Sequence, residues 1–179
     1  LILKELKRNI FDGLSTIYSF NYTFGECIGL SSIPEGLFDK CTEVTSFEGT
    51  FQGCMGLTEI PAGLFDKCGK ALLLTKLFFD CSKLTSIPAG LFNNCTEVTT
   101  FNGTFLGCEN ITAIPEGLFD KCTKATNFAQ AFKGCINLTS ITIPSSVIGI
   151  NTQAFEGCEN LKTVCNFSDL NITKGSIEY

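Results

Sequence analysis

The prolines of this chain follow one register. Proline fixes the backbone φ angle and removes an amide donor, so its regular recurrence marks the same point in a repeated structural unit. A recurrence of this length is typical of one coil of a solenoid. The spacing therefore predicts a stack of similar coils. Four of the five prolines in the 179 residues lie 27 apart, and the fifth lies just past the next position: Pro34, Pro61, Pro88, Pro115 and Pro144.

The apolar residues repeat with the same period. Alignment on the prolines gives five equal units, and no insertion is needed across the first four boundaries: 9–35, 36–62, 63–89, 90–116 and 117–143. Three aromatic series then fall at fixed positions, as expected for side chains that stack from coil to coil in one core. The series are Phe11, Phe38, Phe65, Phe92 and Phe119; Phe24, Phe51, Phe78, Phe105 and Phe132; and Phe20, Phe47, Leu74, Phe101 and Phe128.

Each unit contains two similar halves whose patterns predict the local backbone. One half reads F-x-x-C-x-x-V-x-x-F and the other reads F-x-x-C-x-x-L-x-x-I. The F-x-x-C element places two apolar groups on one side of a helical turn. In the second half, Gly or Asn usually stands two residues after the cysteine, which predicts a left-handed helix C-cap. The V-T-x-F and L-T-x-I segments are typical of short strands. The predicted fold class is an α/β repeat, a solenoid of about six coils in which short parallel strands alternate with one-turn helices.

The two ends of the chain differ from the repeat. Phe155 follows Phe132 more closely than the period of the earlier units requires, so the last unit is shorter than the others. At the other end, Ile2, Leu3, Leu6 and Ile10 suit a short amphipathic helix that covers the first coil. We expect an N-terminal capping segment at 1–8, the solenoid at 9–165 and a polar C-terminal cap at 166–179.

Composition argues against an enzyme and against two classes of partner. Histidine is absent, which removes Ser–His and Cys–His pairs and histidine metal ligands. The net charge is −5 and no basic run stands out, so we expect no nucleic acid partner. No stretch approaches the length of a membrane span, and we expect neither a signal nor an anchor within the chain. We expect no cofactor and no metal. One acidic series suggests a calcium site, but lysines follow three of its members: Asp12, Asp39, Asp66, Asn93 and Asp120.

The cysteines recur with the coils. Leu14 fills the cysteine position in the first unit, which indicates that the position takes a small apolar side chain rather than a thiolate. We predict a ladder of free core thiols, and we keep disulfides between neighbouring coils as an alternative, because stacked Cα atoms lie within bridging range. Cys165 is out of register and is expected to be exposed. The predicted core ladder is Cys27, Cys41, Cys54, Cys68, Cys81, Cys95, Cys108, Cys122, Cys135 and Cys158.

Binding candidates are positions that vary from coil to coil. Phe79 and Leu106 occupy a position that holds Gln52 and Lys133 in other coils, so the sequence predicts an exposed apolar patch there. Met55, directly after a cysteine, is a further apolar candidate. The competing interpretation is that a cap, a loop or a neighbouring chain covers these residues.

Two further candidates lie on a predicted strand. Glu59 and Ser86 occupy one position of the L-T-x-I segment, beside a row of hydroxyl residues that includes Thr58 and Thr85. Small hydroxyl side chains on a sheet suit a protein or glycan partner. The competing interpretation is that threonine is present because it favours exposed strands.

The final unit carries two short motifs that identify a family. The segment 154–161 reads A-F-E-G-C-E-N-L, and 143–147 reads I-P-S-S-V. These resemble the A-F-x-G-C-x-x-L and I-P-x-x-V signatures of the BspA-like leucine-rich repeat proteins, and the resemblance extends over residues 9 to about 165. It implies a right-handed leucine-rich-repeat-type solenoid, a bacterial surface-exposed or secreted location, and adhesion to host matrix proteins or to other cells. The family has no catalytic residues to transfer.

The repeat pattern, the composition and the family resemblance leave three functional hypotheses. The leading hypothesis is a non-catalytic cell-surface or secreted binding module for a protein or glycan of the host matrix or of neighbouring cells. The alternative is a structural spacer array that holds another domain or an anchor away from the cell. A carboxylate-based glycosidase ranks last, because it needs a unique pair of acids in a cleft, and the acids mostly repeat with the coil.

Overall fold

The structure is a computed structural model that describes residues 3–14, 16–143, 147, 150 and 152–166. It is a stack of coils joined by parallel backbone pairing, so the predicted solenoid is confirmed. Two regular strands, β1 (Ser140–Ile143) and β2 (Thr163–Asn166), pair in parallel from Ser140 opposite Thr163 to Ile143 opposite Asn166. A 3-10 helix, Thr152–Phe155, lies between them.

One side of each repeated coil forms a column of single parallel bridges, which we call the A ladder. Each coil contributes one bridging residue because the chain runs extended for only a few residues before it turns. The short parallel strands that the sequence predicts are therefore shorter here than the four residues of β1 and β2. The A ladder consists of Ser19, Ser46, Leu73, Thr100 and Asn127.

The opposite half of each coil forms a second column, the B ladder. It contains β1 and β2, and a parallel bridge joins Ala113 to Ser140. In earlier coils the threonine amides continue it: Thr85 N donates to the Thr58 carbonyl at 3.3 Å, and Thr139 N donates to the Thr112 carbonyl at 3.0 Å. Each coil is thus held to its neighbour on both sides of the core.

The F-x-x-C elements are hydrogen-bonded turns. Cys41 N donates to the Phe38 carbonyl at 2.9 Å, and Cys54 N donates to the Phe51 carbonyl at 3.2 Å. This i to i+3 pattern is that of the 3-10 helix. The helical turns that the sequence predicts thus last a single turn, and Thr152–Phe155 is the segment long enough to count as a helix in the described part of the chain.

The prediction of a left-handed residue two positions after the cysteine is wrong. Gly56 holds that position and has no positive φ, whereas the residue directly before the cysteine does, with φ of 60° at Glu26, 68° at Gly53 and 55° at Asp80. Gly56 is needed for another reason. A Cβ there would lie 2.7 Å from the Ile28 carbonyl oxygen of the preceding coil.

Asparagine at the same position bonds the coils together. Asn110 Nδ2 donates to the Ser82 carbonyl at 2.9 Å, and Asn160 Nδ2 donates to the Ile136 carbonyl at 3.0 Å. Glycine and asparagine therefore share this position because one permits close approach of two backbones and the other bonds to the approaching carbonyl.

Phenylalanine rings fill the core. Phe78 is fully buried and stacks between Phe51, with ring centroids 5.6 Å apart, and Phe105, at 5.7 Å. The Phe38 series stacks in a second column, with 5.9 Å between the rings of Phe38 and Phe65. Coils of equal length present the same rings to each other at these two positions, so these two aromatic series recur without a gap, whereas Leu74 replaces phenylalanine in the third series.

The N-terminal segment differs from its prediction. Leu6 is buried against the core, but residues 3–8 form no helix, and Ile10 is exposed. The segment closes instead into turns such as Ile10 N to the Lys7 carbonyl, because so few residues do not offset the cost of helix nucleation. Ile2, residues 144–146 of the I-P-x-x-V motif, and residues 167–179 of the expected C-terminal cap lie outside the described residues.

Candidate binding surface

Side chains at equal positions of adjoining coils form rows on the outside of the stack. Neighbours in a row lie about 4.8 Å apart, because parallel backbone pairing sets the spacing. We define the A face as residues 18–19, 45–46, 72–73, 99–100 and 126–127, and the B face as residues 58–59, 85–86, 112–113 and 139–140.

Three apolar residues interrupt the hydroxyl-rich A face. Tyr18 is 63% exposed, Leu72 39% and Leu73 37%. The equivalent positions in the second and fourth coils hold threonine and serine only. The third coil therefore presents two adjacent leucines where its neighbours present hydroxyl groups.

The threonine rows have a structural role on both faces. Thr45 Oγ1 donates to the Tyr18 carbonyl at 3.2 Å on the A face. On the B face Thr85 Oγ1 donates to the Thr58 carbonyl at 3.4 Å. The hydroxyl protons of Thr45 and Thr85 are thus used between coils, which leaves their methyl groups and oxygen lone pairs for other contacts.

Phe79 and Leu106, from which the sequence predicts an apolar patch, are both half-buried and keep part of their surface in solvent. The Lys76 ammonium nitrogen lies 5.6 Å from the centroid of the Phe79 ring. Gln52 and Lys133, at the same position, are likewise not fully exposed, and the Gln52 Oε1 atom is itself buried. Whether Phe79 and Leu106 contact a partner stays a prediction.

The other three candidates are exposed. Met55 is 46% exposed and adjoins Ile28, at the same position of the preceding coil, which is 55% exposed. Glu59 and Ser86 are exposed in adjoining coils of the B face. Met55 and Glu59 are four residues apart along one coil, so the row that begins with Ile28 and Met55 borders the B face. Sequence reasoning missed Ile28, although its place one full repeat before Met55 was the signal.

Ion pairs connect adjoining coils along the turns that lead into the A face. Glu43 pairs with Lys70 at 2.6 Å, and Glu97 pairs with Lys124. These four residues occupy the same position in successive coils, so their charges alternate along the stack. We call this set the charged row.

One carboxyl group has a perturbed pKa. Burial raises the pKa of Asp80, and the negative charges of Glu26 and Glu109 raise it further. Within the described residues, no group of three or more Cys, Asp or Glu side chains is arranged to hold a metal ion. The acidic positions therefore offer no metal centre in that part of the chain.

A depression of about 250 Å³ lies near the N-terminal end, lined by Arg8, Asp12, Asp39 and Lys40 among others. Arg8 pairs with Asp39 at 3.4 Å. Both carboxylates belong to the acidic series that repeats with the coils, so the depression carries no acid that is unique to it. The chemistry of a glycosidase needs two carboxylates with different roles.

The repeated thiols form two columns of free, buried cysteines. In the column that contains Cys54, every Sγ from Cys54 onward contacts a phenylalanine carbonyl of the preceding coil, as Cys54 Sγ does with the Phe24 carbonyl at 3.2 Å. Burial raises the pKa of the Cys54 thiol to about 12 and that of Cys158 to about 11. Cys165, on β2, is exposed. A thiol that stays protonated and hydrogen-bonded in the core is a packing group rather than a nucleophile.

Comparison with known proteins places these features in context. A family model described as "BspA type Leucine rich repeat region" matches residues 4–130 and 128–176, with 6 copies. No curated protein matches the chain. No helix among the described residues is long and apolar enough to cross a membrane.

Two solved structures share the fold. A leucine rich cell surface protein from Faecalibacterium prausnitzii A2-165 matches with a TM-score of 0.53 and 20% identity, over 88% of this chain and 47% of that chain. The leucine rich repeat protein of T. pallidum matches with a TM-score of 0.52 and 20% identity, over 88% of this chain and 66% of that one. The chain thus spans about half the length of the first protein and 66% of the second.

Proposed function

The chain belongs to the BspA-type leucine-rich repeat family, and on this premise we propose that it is an adhesive binding module outside the cell. The family generally consists of non-enzymatic, protein-binding surface proteins. The proposed partner is a protein or glycan of the host matrix or of neighbouring cells. The proposed location is the outer cell surface or the extracellular space, which agrees with the surface location in the name of the Faecalibacterium protein.

One observation carries the proposal. The core is complete without Ile28 and Met55, because the rings and leucines beneath them, such as Phe51 and Leu57, are fully buried. Yet both side chains are about half exposed in adjoining coils. Exposed apolar side chains that stand together beside polar ones are typical of a protein interaction site.

The proposed binding surface combines this apolar pair with the neighbouring B face. Glu59 lies four residues beyond Met55, and Ser86 occupies the equivalent position in the next coil. The surface therefore places two apolar anchors beside a carboxylate and a hydroxyl. An apolar centre with a polar margin is the usual anatomy of a protein interface.

The test is binding of the purified 179-residue chain to an immobilised panel of matrix proteins and glycans. We expect the wild type to bind at least one member and Ile28→Ser/Met55→Ser to lose that binding while its thermal stability is retained. Phe79→Ala/Leu106→Ala is the matched control for removal of apolar surface, and we expect it to keep binding.

The other outcomes identify other functions. Loss of binding in the control variant alone would move the site to Phe79 and Leu106. Loss in a Glu59→Lys/Ser86→Lys variant alone would leave the B face as the site and remove the apolar pair from it. No binding to any member of the panel would contradict the proposal and favour the spacer array.

A further inference from the structure

A second surface, the A face with its charged row, has a pattern that the proposed binding surface does not explain. The charged row reads Glu43, Lys70, Glu97, Lys124 along the stack. Read in the opposite direction, the same row begins with lysine and alternates again. The row is therefore complementary to a reversed copy of itself, and its net charge is zero.

We propose that the A face is a contact between two copies of this chain. A two-fold axis parallel to the ladder strands, passing between the third and fourth coils, reverses the order of the coils. It sets Glu43 opposite Lys124 of the second copy and Lys70 opposite Glu97 of the second copy. All four positions of the charged row then meet an opposite charge, and no like charges meet within the row. An interface of this kind is isologous, with the same residues on both sides.

The apolar residues lie where this arrangement needs them. Leu72 and Leu73 belong to the third coil, next to the axis. Under the same rotation they face Thr99 and Thr100 of the second copy. The Thr99 hydroxyl donates to the Leu72 carbonyl of its own chain at 3.3 Å, which leaves the Thr99 methyl group for the contact. A central apolar contact with charged residues along its margin is the arrangement in which charges set orientation and apolar groups supply affinity.

The size of the face sets the expected strength. Five coils at about 4.8 Å give a contact of roughly 20 Å in length, which is at the small end for protein interfaces. The contact is therefore weak for isolated chains. Display of many copies on opposed surfaces raises its effective strength through multivalency.

The alternative explanation of the charged row is that it only holds adjoining coils together. Glu43 and Lys70 are both substantially exposed, and exposed ion pairs of this kind contribute little to stability. Charge reversal separates the two explanations, because it removes complementarity between copies without changing the apolar residues.

The experiment uses sedimentation velocity over a concentration series at low salt. The first variant, Glu43→Lys/Glu97→Lys, has an all-lysine row, and the second, Lys70→Glu/Lys124→Glu, has an all-glutamate row. We expect the wild type to self-associate, each variant alone to associate about tenfold or more weakly because like charges now meet, and an equimolar mixture of the variants to associate again. High salt should weaken the wild-type contact.

The result that overturns the proposal is a wild type that stays monomeric at every concentration, or folded charge variants that associate as strongly as the wild type. A mixture that stays monomeric while both variants retain their thermal transitions also overturns it. If a charge variant fails to fold, Leu72→Ser/Leu73→Ser provides the second test, and undiminished association of that variant contradicts the proposal. These variants leave Ile28 and Met55 unchanged, so panel binding by a monomeric chain would refute the self-contact and leave the proposed function intact.

Discussion

The stacked rings inside the solenoid and several positions on its outside repeat with different periods. Inside, the stacked rings return in every coil, as Phe51, Phe78 and Phe105 do. Outside, several positions recur only in every second coil. Gly49 and Gly103 alternate with bulkier residues, and the charged row alternates in sign. A ring packs well on an identical ring in the next coil. Two identical outer side chains in adjoining coils, by contrast, would occupy the same space or bring like charges together.

The glycines show this competition most clearly. Tyr22 and Lys76 have the same left-handed backbone as Gly49 and Gly103, with φ of 55°, 53°, 57° and 61°. Backbone conformation alone therefore does not require glycine at this position. The ring of Tyr22 lies where a Cβ of Gly49 would be, so the bulky residue of one coil excludes a side chain from the next.

The largest expected effect concerns the reactivity of the thiols that line the core of the repeated coils. Burial raises the pKa of Cys54 from 9.0 to about 12, so its thiolate fraction falls on the order of a thousandfold. In the folded protein we expect a thiol reagent to modify Cys165 rapidly and the ten buried cysteines only on unfolding.

The measurement is a time course of thiol modification followed by intact mass. After denaturation without a reductant we expect eleven thiols, the full cysteine content. A count near one would show that the columns had formed disulfides. Cys165→Ser serves as the control, because it should remove only the rapid phase.

The second prediction compares two adjacent residues, one in the core and one on the outside of the same coil. Phe78 is fully buried and stacked on both faces, whereas Phe79 is half-buried. We expect Phe78→Ala to lower the free energy of unfolding by about 4 kcal/mol, because it leaves a cavity among rigidly stacked rings. Phe79→Ala should cost about 1 kcal/mol. Urea unfolding measures both, and equal costs would refute the placement of the two rings.

The fold was predictable because most core positions hold the same residue type in every coil. Prolines, phenylalanines and cysteines indicate the coil length, the core and the family from the sequence alone. Where Leu74 replaces phenylalanine, a second change compensates for the smaller side chain. Leu77 occupies a buried position that holds threonine in the neighbouring coils, at Thr50 and Thr104. Such compensation is visible only when the two positions are known to share one core.

The outside was less predictable because one residue type serves several purposes. Gly56 is required by a carbonyl of the preceding coil and Gly53 has a positive φ, but both read simply as glycine. Gln52 and Lys133 suggested full exposure at the position of Phe79, whereas the side chains at that position are partly covered. The exposed pair of Ile28 and Met55 becomes evident only when the row between coils is considered rather than the chain.

The third prediction tests the demand for glycine on the outside. Gly49→Ala and its control Gly103→Ala share the left-handed conformation, which costs an alanine about 1 kcal/mol. At Gly103 the nearest atom to a new Cβ is Lys76 Cγ at 3.4 Å, which is an ordinary contact. Gly49→Ala must in addition displace the Tyr22 ring and its 2.8 Å hydrogen bond to Glu48, so we expect it to cost about 1 kcal/mol more than the control.

A double-mutant cycle isolates this additional cost. In a Tyr22→Ala background the obstacle is absent, and Gly49→Ala should cost no more than Gly103→Ala. If the difference between the two glycines persists without the Tyr22 ring, competition between coils is not its cause. Thermal or urea unfolding of the four proteins in the cycle is sufficient.

The smallest expected effect concerns charge on the outside. The pKa of Asp80 is raised above its ordinary 3.8, chiefly by burial and then by Glu26 and Glu109. A raised pKa in the folded state means that the folded protein binds the proton of Asp80 more tightly than the unfolded chain does. The protonated acid therefore adds to the free energy of unfolding below pH 3.8, and this contribution is lost as pH rises through the folded pKa. Asp80→Asn should therefore be more stable than the wild type at pH 7, and the difference should vanish as pH falls below that ordinary value.

The gain should be only about a few tenths of a kcal/mol, because water screens the partly exposed carboxylate. Asparagine also tolerates the left-handed backbone at this position, so the substitution adds no strain. A difference in unfolding free energy that is independent of pH would show that the coils compete there for space alone and not for charge.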